Sequence, residues 1–309
     1  MQKFYSHGKL LITGEYVVLD GATALALPTK FGQSLEVETI EEKEIHWKSF
    51  DHEDQVWFEE QFQLKEILNT KPEDFQPDSK NEKVSKMLFL TLHSAAGMKP
   101  ELFSEEKGYQ IITKADFPLD WGLGTSSTLI ANLAKWLEID AFKLLDKTFG
   151  GSGYDVAVAL EGHPVTYELH GENQSILSTS FDPDFKDQLF FVHLNRKQNS
   201  RDSIKKYREQ NHEDLHTQVE KISSLTHKII TCTDFSEFKL LLEIHENVIS
   251  QVTGLKKVKN ELFPDYSGAI KSLGGWGGDF VLATGGEEQK EYFRNKGYNT
   301  IVDYKDMIL

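Results

Sequence analysis

The apolar positions of this chain change period several times, and each change predicts an element. In the first 60 residues they fall in short runs rich in β-branched and aromatic residues. "KLLITGEYVVLDG" closes on the turn dipeptide Asp20-Gly21, and "FGQSLEVETI", "EIHWKSF" and "QVWFEE" follow with acidic turns between them. This predicts strands in an antiparallel meander. "NTKPEDFQPDSKNEK", polar and with two prolines, reads as an exposed loop. "KVSKMLFLTLHSAA" has helical spacing and ends at Gly97. "GYQIITKADFP" predicts a strand, and "TSSTLIANLAKWLEI" a helix whose apolar face includes Leu129, Leu133 and Leu137. "FKLLDKTF" predicts a short helix stopped by Gly150-Gly151. "SGYDVAVALEG" predicts another, with Ser152 as N-cap. "HPVTYELH" and "QSILSTSF" predict a strand pair.

Beyond Phe185 the pattern changes. "DQLFFVHLN" is a strand, followed by a helical tract from about Ser200 to Val252. A strand at "SGAIKSL", the loop "GGWGGD", the strand "FVLATGG", a helix "EEQKEYFRNKG" and a strand "NTIVDY" complete the chain. Strand, helices, strand, strand, helix, strand is close to a ferredoxin-like order. The expectation is an α+β protein of two domains, residues 1–185 and 186–309, without internal repeats.

Composition narrows the class. A chain of 309 residues with 39% hydrophobic and 11% aromatic residues can bury a sizeable core, which argues against disorder. The net charge of −15 repels nucleic acid and anionic membranes, so any anionic ligand needs a local positive patch. The single cysteine, Cys232, reads as a small buried hydrophobe and fits a reducing compartment. "MQKFYSHGK" has no apolar signal core, and no apolar run approaches the roughly 18 residues that span a bilayer. A cytoplasmic protein is expected.

Five stretches carry candidate chemistry, each with a bland alternative. "GLGTSS" lacks the Lys-Ser/Thr of a Walker A loop and the third glycine of a dinucleotide loop. Gly122 and Gly124 still allow close approach and a sharp turn, and Thr125, Ser126 and Ser127 open a helix with free amides and a positive dipole end. It is a phosphate cradle or a plain helix start. In "GGSGYDVA" three glycines place Asp155 beside close-packed backbone, as a positioned base or as a helix-dipole partner. Lys9 in "SHGKLLITGEY" stands between a glycine and an apolar strand, a functional cation or a solvated one. "LGGWGGD", Leu273 to Asp279, is a ligand-facing loop packed against close neighbours, or a wide hairpin turn. "NRKQNSRDSIKKYR" gathers Arg196, Lys197, Arg201, Lys205, Lys206 and Arg208 against the global charge, as an anion site or a solvated helix face.

The order of these stretches is more specific than any one of them. "GKLLITGEYVVLDGATALALP", "GLGTSS", "GSGYD" and "KSLGGWGGD" resemble, in sequence order and over nearly the whole chain, the motifs of the GHMP small-molecule kinases. That family includes galactokinase, homoserine kinase, mevalonate kinase and phosphomevalonate kinase, and the mevalonate-pathway members are the most similar in flavour. The resemblance implies an N-terminal domain like the second domain of ribosomal protein S5, with a left-handed βαβ crossover, and a ferredoxin-like C-terminal domain. It implies ATP on the N-terminal domain, the acceptor in the cleft between the two, and Mg2+.

The resemblance also implies roles. Gly122, Leu123, Gly124, Thr125, Ser126 and Ser127 match the phosphate loop, with Ser126 also on Mg2+. Asp155 matches the proposed base, and Lys9 its cationic partner. Glu15, Tyr16, Lys197, Ser200 and Arg201 match acceptor-side positions. Gly274, Gly275, Gly277 and Gly278 match the third motif. The implied reaction is phosphoryl transfer to a small hydroxy acid or its phosphate, mevalonate or phosphomevalonate, by a monomer or homodimer. A decarboxylase like mevalonate diphosphate decarboxylase, or a silent nucleotide-binding protein, are the alternatives. Three departures stand out. Asp155 follows Gly124 by only 31 positions, without the family's metal-binding glutamate. His7 replaces a proline, and Trp276 replaces a small residue.

Overall fold

A computed structural model describes residues 1–77, 79–103, 107–171, 173–196, 204–205, 207–209 and 214–309. The chain forms two compact units. The first holds Met1–Gly8, Phe31–Leu119 and Gly124–Leu160, and the second Lys9–Lys30, Asp120–Leu123 and Glu161–Leu309. These are not the two continuous segments expected from a break near Phe185. Backbone pairing is the reason: Ala24, Leu25 and Ala26 pair antiparallel with Tyr167, Thr166 and Val165, which ties an early segment to the later chain.

The first strand, β1 (Gln2–Leu11), ends earlier than its apolar run. Beyond Thr13, Gly14 at φ +86° and Tyr16 at φ 63° turn the backbone, and Val17–Asp20 form a 3-10 turn. Burial of Val17 and Val18 here overrides their strand propensity. Strands β2 (Ala24–Ile40), β3 (Glu44–Phe50) and β4 (Val56–Gln63) form as predicted, though not as a meander. In the first unit β5 (Gly108–Ala115) inserts between β3 and β2, parallel to β3 and antiparallel to residues 33–40 of β2. The connection from β4 to β5 contains α1 (Leu64–Asn69) and α2 (Glu82–Met98). A strand parallel to β3 needs a crossover connection of this kind, which a meander of hairpins does not provide.

A hydrophobic core covers that part of the sheet. Ile45 and Trp47 of β3, Ile111 of β5 and Leu35 and Val37 of β2 pack with Leu88, Phe89 and Leu92 of α2. Helix α3 (Thr125–Leu137) adds Leu133 and Leu137, and α4 (Ala141–Lys147) adds Leu144. Asp140 caps α4 by accepting the amides of Phe142 and Lys143. Helix α5 (Tyr154–Glu161) follows. Gly153, rather than Ser152, stands at its start, its carbonyl accepting Ala157 N.

In the second unit β6 (Val165–His170) and β7 (Asn173–Ser178) form the expected antiparallel pair. β8 (Leu189–His193), β9 (Ile270–Ser272), β10 (Phe280–Thr284) and β11 (Ile301–Asp303) form a four-stranded sheet in the order β11-β8-β10-β9 with every neighbour antiparallel. Between β8 and β9 come α6 (Leu215–Thr231), α7 (Phe235–Thr253) and α8 (Val258–Leu262). After β10 come α9 (Glu287–Asn295), and after β11 α10 (Tyr304–Met307). Every residue of β8 is buried, in keeping with the apolar run from Leu189 to Val192. Phe190, Val192, Val281 and Ala283 pack with Phe263, Tyr266 and Phe293. Cys232, at the end of α6, is half-buried rather than a core residue, and Sγ donates to Asp234 O at 3.2 Å. Burial holds its thiol above the usual value, which opposes a reactive thiolate. No described helix is long and apolar enough to cross a membrane.

Candidate functional site

The stretch from Asp120 to Gly122 is pinned by side chains of the second unit. His193 of β8 lies with Nε2 3.3 Å from Asp120 O, and Trp121 stands edge-on to Phe280 at 5.3 Å between ring centroids. Lys9 Nζ donates to Gly122 O at 3.0 Å, and Lys9 N to Leu123 O at 3.0 Å. Gly122 has φ +68°, and a Cβ there would lie 2.4 Å from Cγ and Oδ2 of Asp279. Both reasons for glycine therefore apply at once. Gly122→Ala is expected to cost on the order of 1–3 kcal/mol from backbone strain alone, read as a lowered urea midpoint; an unchanged midpoint would show that Asp279 yields freely.

Gly124, at φ 92°, is the residue from which α3 starts. Its carbonyl accepts both Ser127 N and Thr128 N at 3.0 Å. The Ser127 amide is thus closed within the first turn. The amides of Gly124, Thr125 and Ser126 precede any intrahelical acceptor. Ser126 is exposed and Ser127 buried. The buried hydroxyl is used: Ser127 Oγ donates to Asp155 Oδ2 at 2.5 Å. Asp155 lies in the first turn of α5, where the helix dipole favours its negative charge. The glycines before it act through backbone conformation. Gly150, Gly151 and Gly153 all have positive φ, and a Cβ on Gly150 or Gly151 would meet nothing within 4 Å, so the close packing expected there is absent.

Glu15 and Tyr16 take other parts than acceptor contact. Glu15 is fully buried and its Oε1 accepts from Lys271 Nζ. Lys271 Nζ also lies 3.2 Å from Glu246 Oε1. Tyr16 is buried, with its hydroxyl donating to Gly275 O at 2.7 Å and its ring 5.4 Å from that of Tyr207. At Gly274 and Gly277 the Gly-rich loop leaves open space rather than a close approach, since a Cβ there would meet nothing within 4 Å. Trp276 in that loop is buried, and its Nε1 has no hydrogen-bond partner among the described residues. Arg196, Lys205 and Arg208 are exposed, while Lys197, Ser200, Arg201 and Lys206 lie outside the described residues.

Two buried groups beside each other titrate in opposite senses. Burial raises the Glu15 carboxyl from 4.5 to about 7, against the opposing pull of Lys271. Burial, then the Lys271 charge, holds the His245 imidazole well below 6.5. Its Nε2 accepts the Gly14 amide at 3.1 Å, which the neutral ring can do. Folded Glu15 keeps a proton that the unfolded chain releases, so its contribution is full below about 4.5 and is lost as pH rises toward 7. Folded His245 stays neutral where the unfolded ring would charge, so its contribution is present above 6.5 and is lost as pH falls. The two slopes oppose between about 5 and 6.5. Relative to the unaltered chain, Glu15→Gln is expected to lose about 1.4 kcal/mol per pH unit as pH falls from about 7 to about 5. Urea unfolding across that range checks the sign; parallel curves for the two proteins would contradict it.

Sequence reasoning missed Asp279, Lys271, Glu246 and His245. Asp279 closes the quoted loop motif and could have been singled out as its one acidic residue. The other three give no local signal, because each is defined by partners far away in sequence.

No protein-family model and no curated protein matches the sequence. Solved structures do match. The mevalonate kinase of Methanococcus jannaschii superposes with a TM-score of 0.68 at 15% identity, over 97% of this chain and 96% of that one. The chain has the fold of these kinases. The phosphomevalonate kinase of Streptococcus pneumoniae, solved with phosphomevalonate and AMPPNP, gives 0.69 at 15% identity over 96% of each chain. A D-glycero-D-manno-heptose 1-phosphate kinase from Bacteroides thetaiotaomicron gives 0.64 at 14% identity over 99% of this chain and 94% of that one. The kinase fold expected from the motif order is therefore present. The α+β class agrees with the mixed sheet-and-helix architecture.

Proposed function

We propose that the protein is an ATP- and Mg2+-dependent GHMP-type kinase that passes the γ-phosphoryl group of ATP to a hydroxyl of a small hydroxy acid or its phosphate. The observation that carries this reading is the Gly122–Gly124 loop running into α3, with Ser127 bonded to Asp155, on a fold shared with solved kinases. Mevalonate and phosphomevalonate are the first acceptors to test, because neighbours of this fold are named for them. The heptose 1-phosphate kinase neighbour brings sugar phosphates into the same panel. The antiparallel order β11-β8-β10-β9 supports a ferredoxin-like C-terminal portion, and the parallel β3–β5 pair supports a βαβ-type N-terminal one.

Phosphoryl transfer passes through a loose transition state, so fixed donors and cations matter more than covalent help. The amides of Gly124, Thr125 and Ser126, with the dipole of α3, would hold phosphate oxygens. Lys9 would help to fix the loop through its hydrogen bond to the carbonyl of Gly122. Asp155, steadied by Ser127, would orient that hydroxyl and take its proton late, a task within reach of a weak carboxylate base. Mg2+ would neutralise charge on the β- and γ-phosphates. Ser126 and Asp155 carry oxygen donors of the kind this hard cation prefers and would be the residues to hold it. Among the described residues no group of three or more His, Cys, Asp or Glu forms a ready-made metal cage, which fits a cation brought in with the nucleotide.

The test is ADP release from ATP and Mg2+ with each acceptor of the panel. Acceptor-dependent ADP is the expected result. ATP binding without turnover on any acceptor would leave a silent nucleotide-binding protein, and CO2 released from a diphosphate acceptor would point to a lyase.

A further inference from the structure

The cluster of Glu15, Lys271 and Glu246 joins three stretches of the second unit. Glu15 lies in the turn 14–16, Lys271 in β9 just ahead of the loop 273–279, and Glu246 in α7. Lys271 Nζ donates to Glu15 and, at 2.5 Å, to Ser272 O. Glu246 accepts Ser272 N at 3.1 Å and Ser272 Oγ at 2.9 Å, so both its oxygens hold the stem of that loop. His245, next to it on α7, accepts the Gly14 amide, and the Tyr16–Gly275 hydrogen bond closes the ring. All three charged groups are at most 2% exposed.

A buried ionic triad is a poor way to gain stability, because apolar residues of similar volume would fill the space without desolvating charge. What the triad does supply is direction: each contact is a specific donor–acceptor pair. The two segments it joins need such direction. Tyr16, Trp276 and Asp279 all have positive φ, at 63°, 54° and 51°, a conformation that side chains hold only when their surroundings over-determine it. Asp279, at the far end of the same loop, is the residue that packs on Gly122.

We propose that Lys271 is a positioning residue that, with Glu15 and Glu246, locks the turn 14–16 to the glycine-rich loop 273–279 and thereby sets where Asp279 meets Gly122. Its kinetic consequence rests on the kinase reading; its structural consequence does not.

The test removes all three charges together, as Glu15→Leu/Lys271→Met/Glu246→Gln in the full chain, and compares urea midpoint, amide hydrogen exchange and steady-state kinetics. A purely structural triad predicts a variant that is folded and unchanged in both other readouts. Positioning predicts a midpoint near that of the unaltered chain, with exchange in segments 14–16 and 273–279 faster by on the order of 10-fold and α2 unaffected. It also predicts kcat lower by roughly 10- to 100-fold with the KM for ATP within about 3-fold. A stable variant with unaltered exchange in both segments overturns the proposal. If the triple variant does not fold, Glu15→Gln at pH 8, which keeps the Lys271–Glu246 pair, is judged by the same exchange criterion. If the unaltered chain turns over no acceptor, the kinase reading fails while exchange still decides on the lock.

Discussion

Replacing Lys271 alone by methionine is expected to lower the free energy of unfolding by on the order of 3–5 kcal/mol, the largest single effect on stability anticipated here. The cause is the carboxylates left behind. Glu15 and Glu246 are both buried, and each is held above its usual value by burial and pulled back by the same ammonium group. Without that group they must either face each other as anions in a low-dielectric interior or take up protons. The second escape makes the effect depend on pH. Both carboxyls bind protons more readily as pH falls, so the loss should shrink toward pH 5 and grow toward pH 8. Urea unfolding of the variant and the unaltered chain at those two values checks both size and trend. A loss below about 1 kcal/mol at pH 8 would mean that water reaches the cluster when the lysine is gone, as it does around surface pairs.

The second large effect concerns chemistry. In the proposed kinase reading, Asp155→Asn is expected to lower kcat by on the order of 10²- to 10³-fold, since an amide cannot take up the acceptor's proton. Ser127→Ala should be milder, about 10-fold, because a hydrogen bond to a charged group is worth roughly 1.5–3 kcal/mol and only the orientation of Asp155 is loosened. Neither change touches the amides of Gly124, Thr125 and Ser126, so calorimetric ATP affinity should stay within about 3-fold, far less than the loss of a cradle donor would cause. Equal turnover in Asp155→Asn and the unaltered chain would remove Asp155 from the mechanism. A large loss of ATP affinity in Ser127→Ala would show that the bond shapes the cradle rather than the base.

The legible parts of this chain were those written in local pattern. Leu133 and Leu137 announce the buried face of α3, and "LFFVH" announces a strand covered on both faces. The glycines at 122 and 124 announce the turn into that helix. The illegible parts depend on long-range pairing. "EYVVLDG" has the composition of a strand, yet two positive-φ residues and the burial of Val17 and Val18 make it a turn. The meander failed for a related reason: β3 and β4 pair as neighbours in sequence, while β5 arrives from a distant segment to separate β3 from β2. Glu15 looked like an acceptor contact by motif, but its partner Lys271 lies 256 positions later and fixes its side chain in the interior.

By itself the sequence determined the order of elements, the kinase-like order of glycine-rich turns and the identity of Asp155 as the carboxylate beside them. Helical and strand periods, and the steric permission of glycine, act over a few residues and survive in a linear reading. The tertiary structure alone decided which hydroxyl meets Asp155, which amides at the start of α3 are closed within its first turn, and which charges are buried together. Those outcomes follow from hydrogen bonds and desolvation between groups far apart in the chain, and no local period carries that information.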